Sequence, residues 1–240
     1  MSLIDDLGNR MKGYEEVSNV VLTRRMPLII RLDGKAFHSY TNGCLRPFDE
    51  KLSNAMIDAT IMLLNTLQGA QIAYTQSDEI SILVHGYKKI TSQPWFDNSL
   101  QKIVSVSAGT ISTYFTLESV KIFGLMKPAI FDARAFVIPE NDVANYFIWR
   151  QKDAQRNSIS QFARSFFSTK ELQNKSGAEM IKMCLIKNND YESLENRWRN
   201  GIAIRKSRES NGRSRWLADN NTPSFMNNRE YIEELLKLDD

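Results

Sequence analysis

The stretch Leu28-Ile29-Ile30-Arg31-Leu32-Asp33-Gly34-Lys35-Ala36-Phe37-His38-Ser39-Tyr40 restricts what this chain can fold into more than any other. Its opening apolar run carries the β-branched bias of a buried strand and stops on Asp33-Gly34. A carboxylate at the last position of a core strand projects off the sheet edge. The glycine after it has no Cβ and lets the backbone come close to a ligand. Lys35, Phe37 and His38 follow as a turn carrying one cation and an aromatic face. Asp-Gly is equally an ordinary strand terminator, so the rest of the chain must separate a rim site from a plain turn.

On either side the pattern alternates between helical and extended segments. Leu3, Leu7, Met11 and Tyr14 recur at helical spacing, as in an amphipathic helix lying on the core. After the strand at 27–33, Asn42-Gly43 and Arg46-Pro47 break the chain. Asp49 is placed to cap a helix carrying Leu52, Met56, Leu63 and Leu67, which Gln68-Gly69 ends. Residues 70–76 (AQIAYTQ) read as a strand, Ser77-Asp78-Glu79 as a tight turn, and 80–86 (ISILVHG) as the returning strand. A helix over about 98–117 puts Ile103, Val106, Ile111 and Tyr114 inward, and residues 129–139 (AIFDARAFVIP) form a fourth strand.

The order β-α-β-β-α-β is the ferredoxin-like arrangement of an α+β protein. With right-handed crossovers the sheet order is 4-1-3-2, so the first and third strands are neighbours. Asp33 and the Ser77-Asp78-Glu79 turn then meet on one rim. Two carboxylates converging beside the Gly34 carbonyl make a hard, oxygen-rich site suited to Mg²⁺, which takes one or two carboxylates and completes its shell with water and phosphates. The bland alternative is a solvated hairpin turn.

Composition excludes several chemistries. The two cysteines, Cys44 and Cys184, stand alone, and His38 and His85 are the only histidines. Zinc sites and Ser-His-Asp triads therefore have almost no material, and two lone thiols suit a reducing cytoplasm. No apolar run approaches the length of a membrane span, and the charged first residues do not read as a signal peptide. The net charge is only +3, so any nucleic-acid affinity must come from local clusters. The expectation is a soluble cytoplasmic protein with no membrane contact.

Four separated motifs, RLDGKAFHSYT, QSDEISIL, FDARAFVIP and WRQKDAQRNSI, occur together in an order and spacing that resembles the tRNA(His) guanylyltransferase family. That family includes the template-dependent 3′-5′ polymerases called guanylyltransferase-like proteins. The resemblance runs from about Leu7 to Arg164 and implies a polymerase-palm core with two Mg²⁺ ions. Asp33 and Asp78 match the family's metal-binding carboxylates, Gly34 matches a ligating carbonyl, and Glu79 matches a catalytic carboxylate supporting that site. Gly34, Lys35, Ala36, Phe37 and His38, with Ser77, match the segment holding the nucleotide and its triphosphate. Arg46 and Lys102 match basic positions near the phosphates, while Ser99 stands where the family has a further arginine.

The implied chemistry is nucleotide addition to the 5′ end of tRNA, with GTP, ATP and other NTPs as partners, in a homo-tetramer. The RNA 5′-phosphate is activated by adenylylation or enters as a triphosphate. The 3′-hydroxyl of an incoming NTP then attacks it and expels AMP or pyrophosphate. Both steps are in-line phosphoryl transfers that need positioning and charge neutralisation more than side-chain nucleophiles.

Residues 1–140 read as the palm-like catalytic core and 141–240 as an appended helical and basic part packed on it as one unit. A long helix from Asp142 to Phe167 carries Trp149, Phe162 and Phe166 inward, and leaves Arg150, Lys152, Arg156 and Arg164 outward. The motif match points Arg150, Asp153, Arg156 and Asn157 towards RNA. Arg205, Lys206 and Arg208 form a basic stretch with Trp198 and Trp216 nearby. These tryptophans either stack on RNA bases or form the core of a hairpin turning at Asn211-Gly212. A last helix near Asn228 exposes Glu230, Glu233 and Glu234.

Where the eukaryotic enzymes follow Trp-Arg-Gln-x-Asp with a histidine and paired asparagines tied to the anticodon, this chain has Gln155-Arg156-Asn157-Ser158. Template-directed end repair is therefore expected over anticodon-selected guanylate addition. A palm-fold nucleotide cyclase and a non-catalytic RNA-binding module are the alternatives. The cyclase has no need of an arginine-rich second half, and the module would want aromatics on its central strands.

Overall fold

The computed structural model describes residues 3–87, 92–208 and 212–237. Six strands, β1 Leu28–Gly34, β2 Ala70–Gln76, β3 Glu79–Val84, β4 Phe131–Val137, β5 Ile202–Arg208 and β6 Ser214–Asp219, form one antiparallel sheet in the order β4-β1-β3-β2-β5-β6. The helices are α1 Leu3–Glu16, α2 Phe37–Tyr40, α3 Glu50–Thr66, α4 Leu100–Phe123, α5 Glu140–Arg164, α6 Thr169–Leu172, α7 Gly177–Ile186, α8 Asn196–Asn200 and α9 Glu230–Glu233. The expected βαββαβ unit and its 4-1-3-2 order are both present. Two further strands from the basic second half extend that sheet beyond β2.

The central strands β1 and β3 carry apolar residues on both faces because both faces are covered, with Arg31, Asp33, Glu79 and Ser81 as their polar positions. Ile30, Leu32, Ile80 and Ile82 pack against Leu63, Ile103, Ile111 and Phe115 on the α3–α4 side. Ile29, Ile72, Tyr74 and Leu83 pack on the other side with Phe147 of α5, Phe225, and Ile232 of α9. A one-residue slip of β1 would exchange Ile30 and Leu32 for Arg31 and Asp33, so the core fixes the register that places the rim carboxylate. Asp49 caps α3 by accepting a bond from the Leu52 N–H at 3.0 Å. A third cluster, with Phe162, Leu172, Cys184 and Tyr191, packs beneath α6 and α7.

Several expectations need correction. Glu79 does not belong to the turn; it is the first residue of β3 and pairs with Asp33. Leu7, Met11 and Tyr14 of α1 are exposed, so this helix does not lie on the core of its own chain. On α4, Val106 is exposed and Ser107 and Phe115 take the inward positions. Trp149 is half exposed, because α5 turns Tyr146, Phe147 and Arg150 inward instead. Trp216 is buried as hairpin core, whereas Trp198 is not. Asn211, at the expected turn of that hairpin, lies outside the described residues. Among the described residues no helix is long and apolar enough to cross a membrane.

Candidate active site at the sheet rim

β1 ends where the β2–β3 hairpin turns, and the backbone ties the two together. The Gly34 N–H donates to the Asp78 carbonyl at 3.1 Å, and Asp33 is the partner of Glu79 on one side and of Asp132 on the other. Burial, and after it the charges of Asp33 and Glu79, push the Asp78 carboxyl up from its usual range, against a hydrogen bond from Ser77. A divalent cation beside Asp33 and Asp78 would remove that cost, so the donor set suits Mg²⁺. Among the described residues no group of three or more His, Cys, Asp or Glu could hold an ion. An ion here would thus rely on the Gly34 carbonyl, water and substrate oxygens.

Glu79 is buried and its oxygens are taken. Arg31 Nη2 donates to Oε2 at 2.6 Å, Arg150 Nε to Oε1 at 2.6 Å, and Arg150 Nη2 to Oε2 at 2.8 Å. Arg150 also bonds Asp153 at 2.8 Å, and Arg156 pairs with Asp153 in turn. Burial raises the Asp153 carboxyl, but Arg156 and Arg150 outweigh it and hold the group low. Arg150 is therefore not an outward RNA contact: an ion pair holds it inside the protein, where a carboxylate compensates its charge. Of the expected RNA residues on α5, Arg156 and Asn157 remain exposed.

Gly34 is confined by its neighbour. A Cβ there would stand 2.2 Å from Phe37 Cδ2, and Phe37 is buried against Tyr40, Phe115 and Phe131 at centroid distances of 4.9, 5.3 and 5.0 Å. Gly34→Ala is expected to force Phe37 out of this cluster, costing about 1–3 kcal/mol as overpacking does. It should also displace the rim carbonyl, so that thermal midpoint and turnover fall together. An unchanged midpoint would show that the turn relaxes freely.

A cleft of about 350 Å³ opens beside the rim. Ser77, Asp78, His38, Arg46, Asn157 and Trp198 are among the residues that line it. Phe48 stacks on Trp198 at 5.0 Å, and Arg197 lies over the same indole. Lys35, Ala36 and His38 are exposed on the turn after Gly34.

Other expected site residues fall elsewhere. Lys102 occupies the first turn of α4. The level of the rim along that helix is marked by Ser112, near its middle, which accepts from Phe131, the partner of Gly34. About 15 Å of helix axis separates the two, so Lys102 lies well away from the Gly34 end of β1. Arg205 and Lys206 alternate across β5: Arg205 lies over Tyr231 at 4.3 Å and Lys206 over Trp216 at 4.9 Å. The two point to opposite faces of the sheet and cannot form a single RNA surface. The Arg208 side chain lies outside the described residues. Gln155, at the departure from the eukaryotic motif, donates to Asn200 Oδ1 at 2.8 Å and so ties α5 to α8. Arg31 went unnoticed in the sequence, although its position two residues before Asp33 places it on the same face.

Residues 8–139, more than half of the chain, match the family model for tRNAHis guanylyltransferase. The chain belongs to the tRNA(His) guanylyltransferase family, a family of nucleotidyltransferases. A solved structure of a bacterial tRNA(His) guanylyltransferase (Thg1)-like protein in complex with ATP matches with a TM-score of 0.91 and 44% identity, covering 97% of this chain and 100% of that one. A second such structure, in complex with GTP, matches at 0.83 and 39% over the same shares. The tRNA(His) guanylyltransferase of Debaryomyces hansenii is 31% identical over 140 residues, 55% of this chain and 51% of that protein. An uncharacterized protein of Acanthamoeba polyphaga mimivirus is 28% identical over 227 residues, 84% of this chain and 77% of that protein. The chain thus spans about half the length of the curated guanylyltransferases it matches.

Proposed function

We propose that this chain adds nucleotides to the 5′ end of tRNA in the 3′-5′ direction, using two Mg²⁺ ions, with template-directed end repair as its main task. The observation that carries this reading is the double position of Asp78. It belongs to the carboxylate rim with Asp33 and also to the wall of the 350 Å³ cleft. A nucleotide seated in that cleft has its reactive end at the rim. The ATP and GTP complexes of the two bacterial relatives agree with such an occupant.

Asp33, Asp78 and the Gly34 carbonyl would hold the ions, which when bound neutralise charge on the transferring phosphate. The chain's own residues position the partners. Exposed Lys35 and His38 stand on the turn beside the rim and Arg46 stands in the cleft wall, where cations meet a triphosphate. Arg31 and Arg150 clamp Glu79 and so fix the strand ends that carry Asp33 and Asp78. The exposed apolar face of α1 gains a partner if the chain assembles as the proposed homo-tetramer.

The test follows from the departure at Gln155, whose amide is engaged with Asn200 rather than presented to an anticodon. Catalytic efficiency is compared on a tRNA lacking its first 5′ nucleotide and on intact tRNA(His), each with its own and a swapped anticodon. Efficient extension of the truncated tRNA is expected, with each NTP accepted according to the opposing base, and no effect of the anticodon. A preference for intact tRNA(His) that vanishes with its anticodon would overturn the repair reading. Cyclic product from labelled NTP without tRNA would replace it with the cyclase.

A further inference from the structure

Trp149 is 50% exposed on the sheet face that also carries Asp33. The guanidinium of Arg150 lies 4.3 Å from its ring centroid and that of Arg31 5.9 Å, with Tyr146 edge-on at 5.8 Å. Both arginines are pinned by Glu79, so the indole rests on a rigid ionic base while part of its surface stays open to solvent. Arg31 precedes Asp33 by about 7 Å of strand, which puts this aromatic surface beside the rim. On the neighbouring strand Arg134 is the partner of Arg31; it is exposed and has no ion pair among the described residues. Cations directly opposite one another repel. Glu79 compensates Arg31, whereas Arg134 remains available to an anion.

The sheet order adds a direction. The cleft opens over the β2–β3 end, where Thr75 to Asp78 line it, and Trp149 and Arg134 lie towards β1 and β4. Asp78 belongs to the cleft wall, and Asp33 stands on β1, between β3 and the β4 strand that carries Arg134. In-line phosphoryl transfer places the attacking and leaving oxygens on opposite sides of the transferred phosphorus. With one nucleotide in the walled cleft, the other reactant must come from the open side.

We propose that Trp149 is the stacking platform for the base at the 5′ end of the acceptor RNA, with Arg134 holding a phosphate of the same strand. This inference rests on the nucleotide-addition reading. Stacking tolerates every base, as template-directed addition requires, and a half-open platform admits a continuing strand.

The experiment uses the full chain and a 5′-truncated tRNA carrying 2-aminopurine either at its 5′ end or at an interior position. Binding should quench the terminal probe in the wild type. The quench should be lost in Trp149→Ala, largely restored in Trp149→Phe, and absent for the interior probe. Trp149→Ala should raise KM for the tRNA about 5- to 150-fold, with a smaller change in kcat and an unchanged KM for NTP. Arg134→Ala, at an exposed position, gives a second arm: weaker tRNA binding, with the salt slope reduced by about one. Quench and tRNA KM unaltered in Trp149→Ala would overturn the platform while the proposed function stands. A wild type that quenches the terminal probe through Trp149 but adds no nucleotide would do the reverse.

Discussion

Asp78→Asn should lose nucleotide addition by on the order of 10³-fold, while its thermal midpoint without metal stays level or rises. Burial and the charges of Asp33 and Glu79 raise the folded-state pKa of Asp78 above its unfolded value. The folded chain then binds this proton more tightly than the unfolded one. Between the two pKa values, stability therefore falls as the pH rises. At neutral pH the ionised group is a cost to the fold, and asparagine removes the cost together with the proposed metal ligand. Mg²⁺ should raise the wild-type midpoint by mass action and leave Asp78→Asn unmoved. Asp33→Ala should lose activity to a similar depth. A folded Asp78→Asn protein that turns over normally at saturating Mg²⁺ would remove this carboxylate from the reaction.

The next residue should behave in the opposite sense. Glu79→Ala is expected to destabilise the chain by about 3–5 kcal/mol, the cost of breaking a buried ion pair by removing one partner. At about 2–4 °C per kcal/mol for a chain of this size, the midpoint should fall on the order of 10 °C. Arg150 is 3% exposed and would keep only Asp153 as a counter-charge, and Arg31 would lose its carboxylate. Activity should fall too, because the ends of β1 and β3 are tied through this residue. Denaturation of the purified variant decides: a midpoint within a degree or two of wild type would mean that water compensates both guanidinium groups.

That two adjacent acids act so differently was only half legible in the sequence. Strand periodicity and crossover handedness are enough to bring Asp33 and Asp78 to one rim, because one face of β1 and β3 is apolar from end to end, with Leu28, Ile30 and Leu32 beside Ile80, Ile82 and Val84. The fate of Glu79 depended on which residues of α5 face the sheet. There the sequence misleads, since Trp149 is the larger hydrophobe and its size predicts an inward position. The ion pair with Glu79 turns Arg150 in and leaves the indole half outside. β5 was hidden for a related reason: its apolar residues, Ile202 to Ile204, are followed at once by Arg205 and Lys206. These read as an RNA-binding stretch although they lie on opposite faces of an added strand. Lys102 shows what a motif match leaves open: it aligns a position but does not give its distance along α4 from the level of Gly34.

The pairing of β2 with β5 bears on how the chain is made. Ile72, Ala73, Tyr74 and Thr75 find their outer neighbours in Arg205, Ile204, Ala203 and Ile202, beyond residue 139 where the family match ends. On the ribosome, at about 5–20 residues per second, β2 emerges roughly ten seconds before the strand that closes its edge. Throughout that interval the nascent protein offers a row of unpaired amides and carbonyls to any other chain, and Tyr74 waits for Phe225 to cover it. The segment from β5 to Phe225 is therefore a shield as much as a part of the enzyme. A crowded polysome is the setting in which its late arrival matters most.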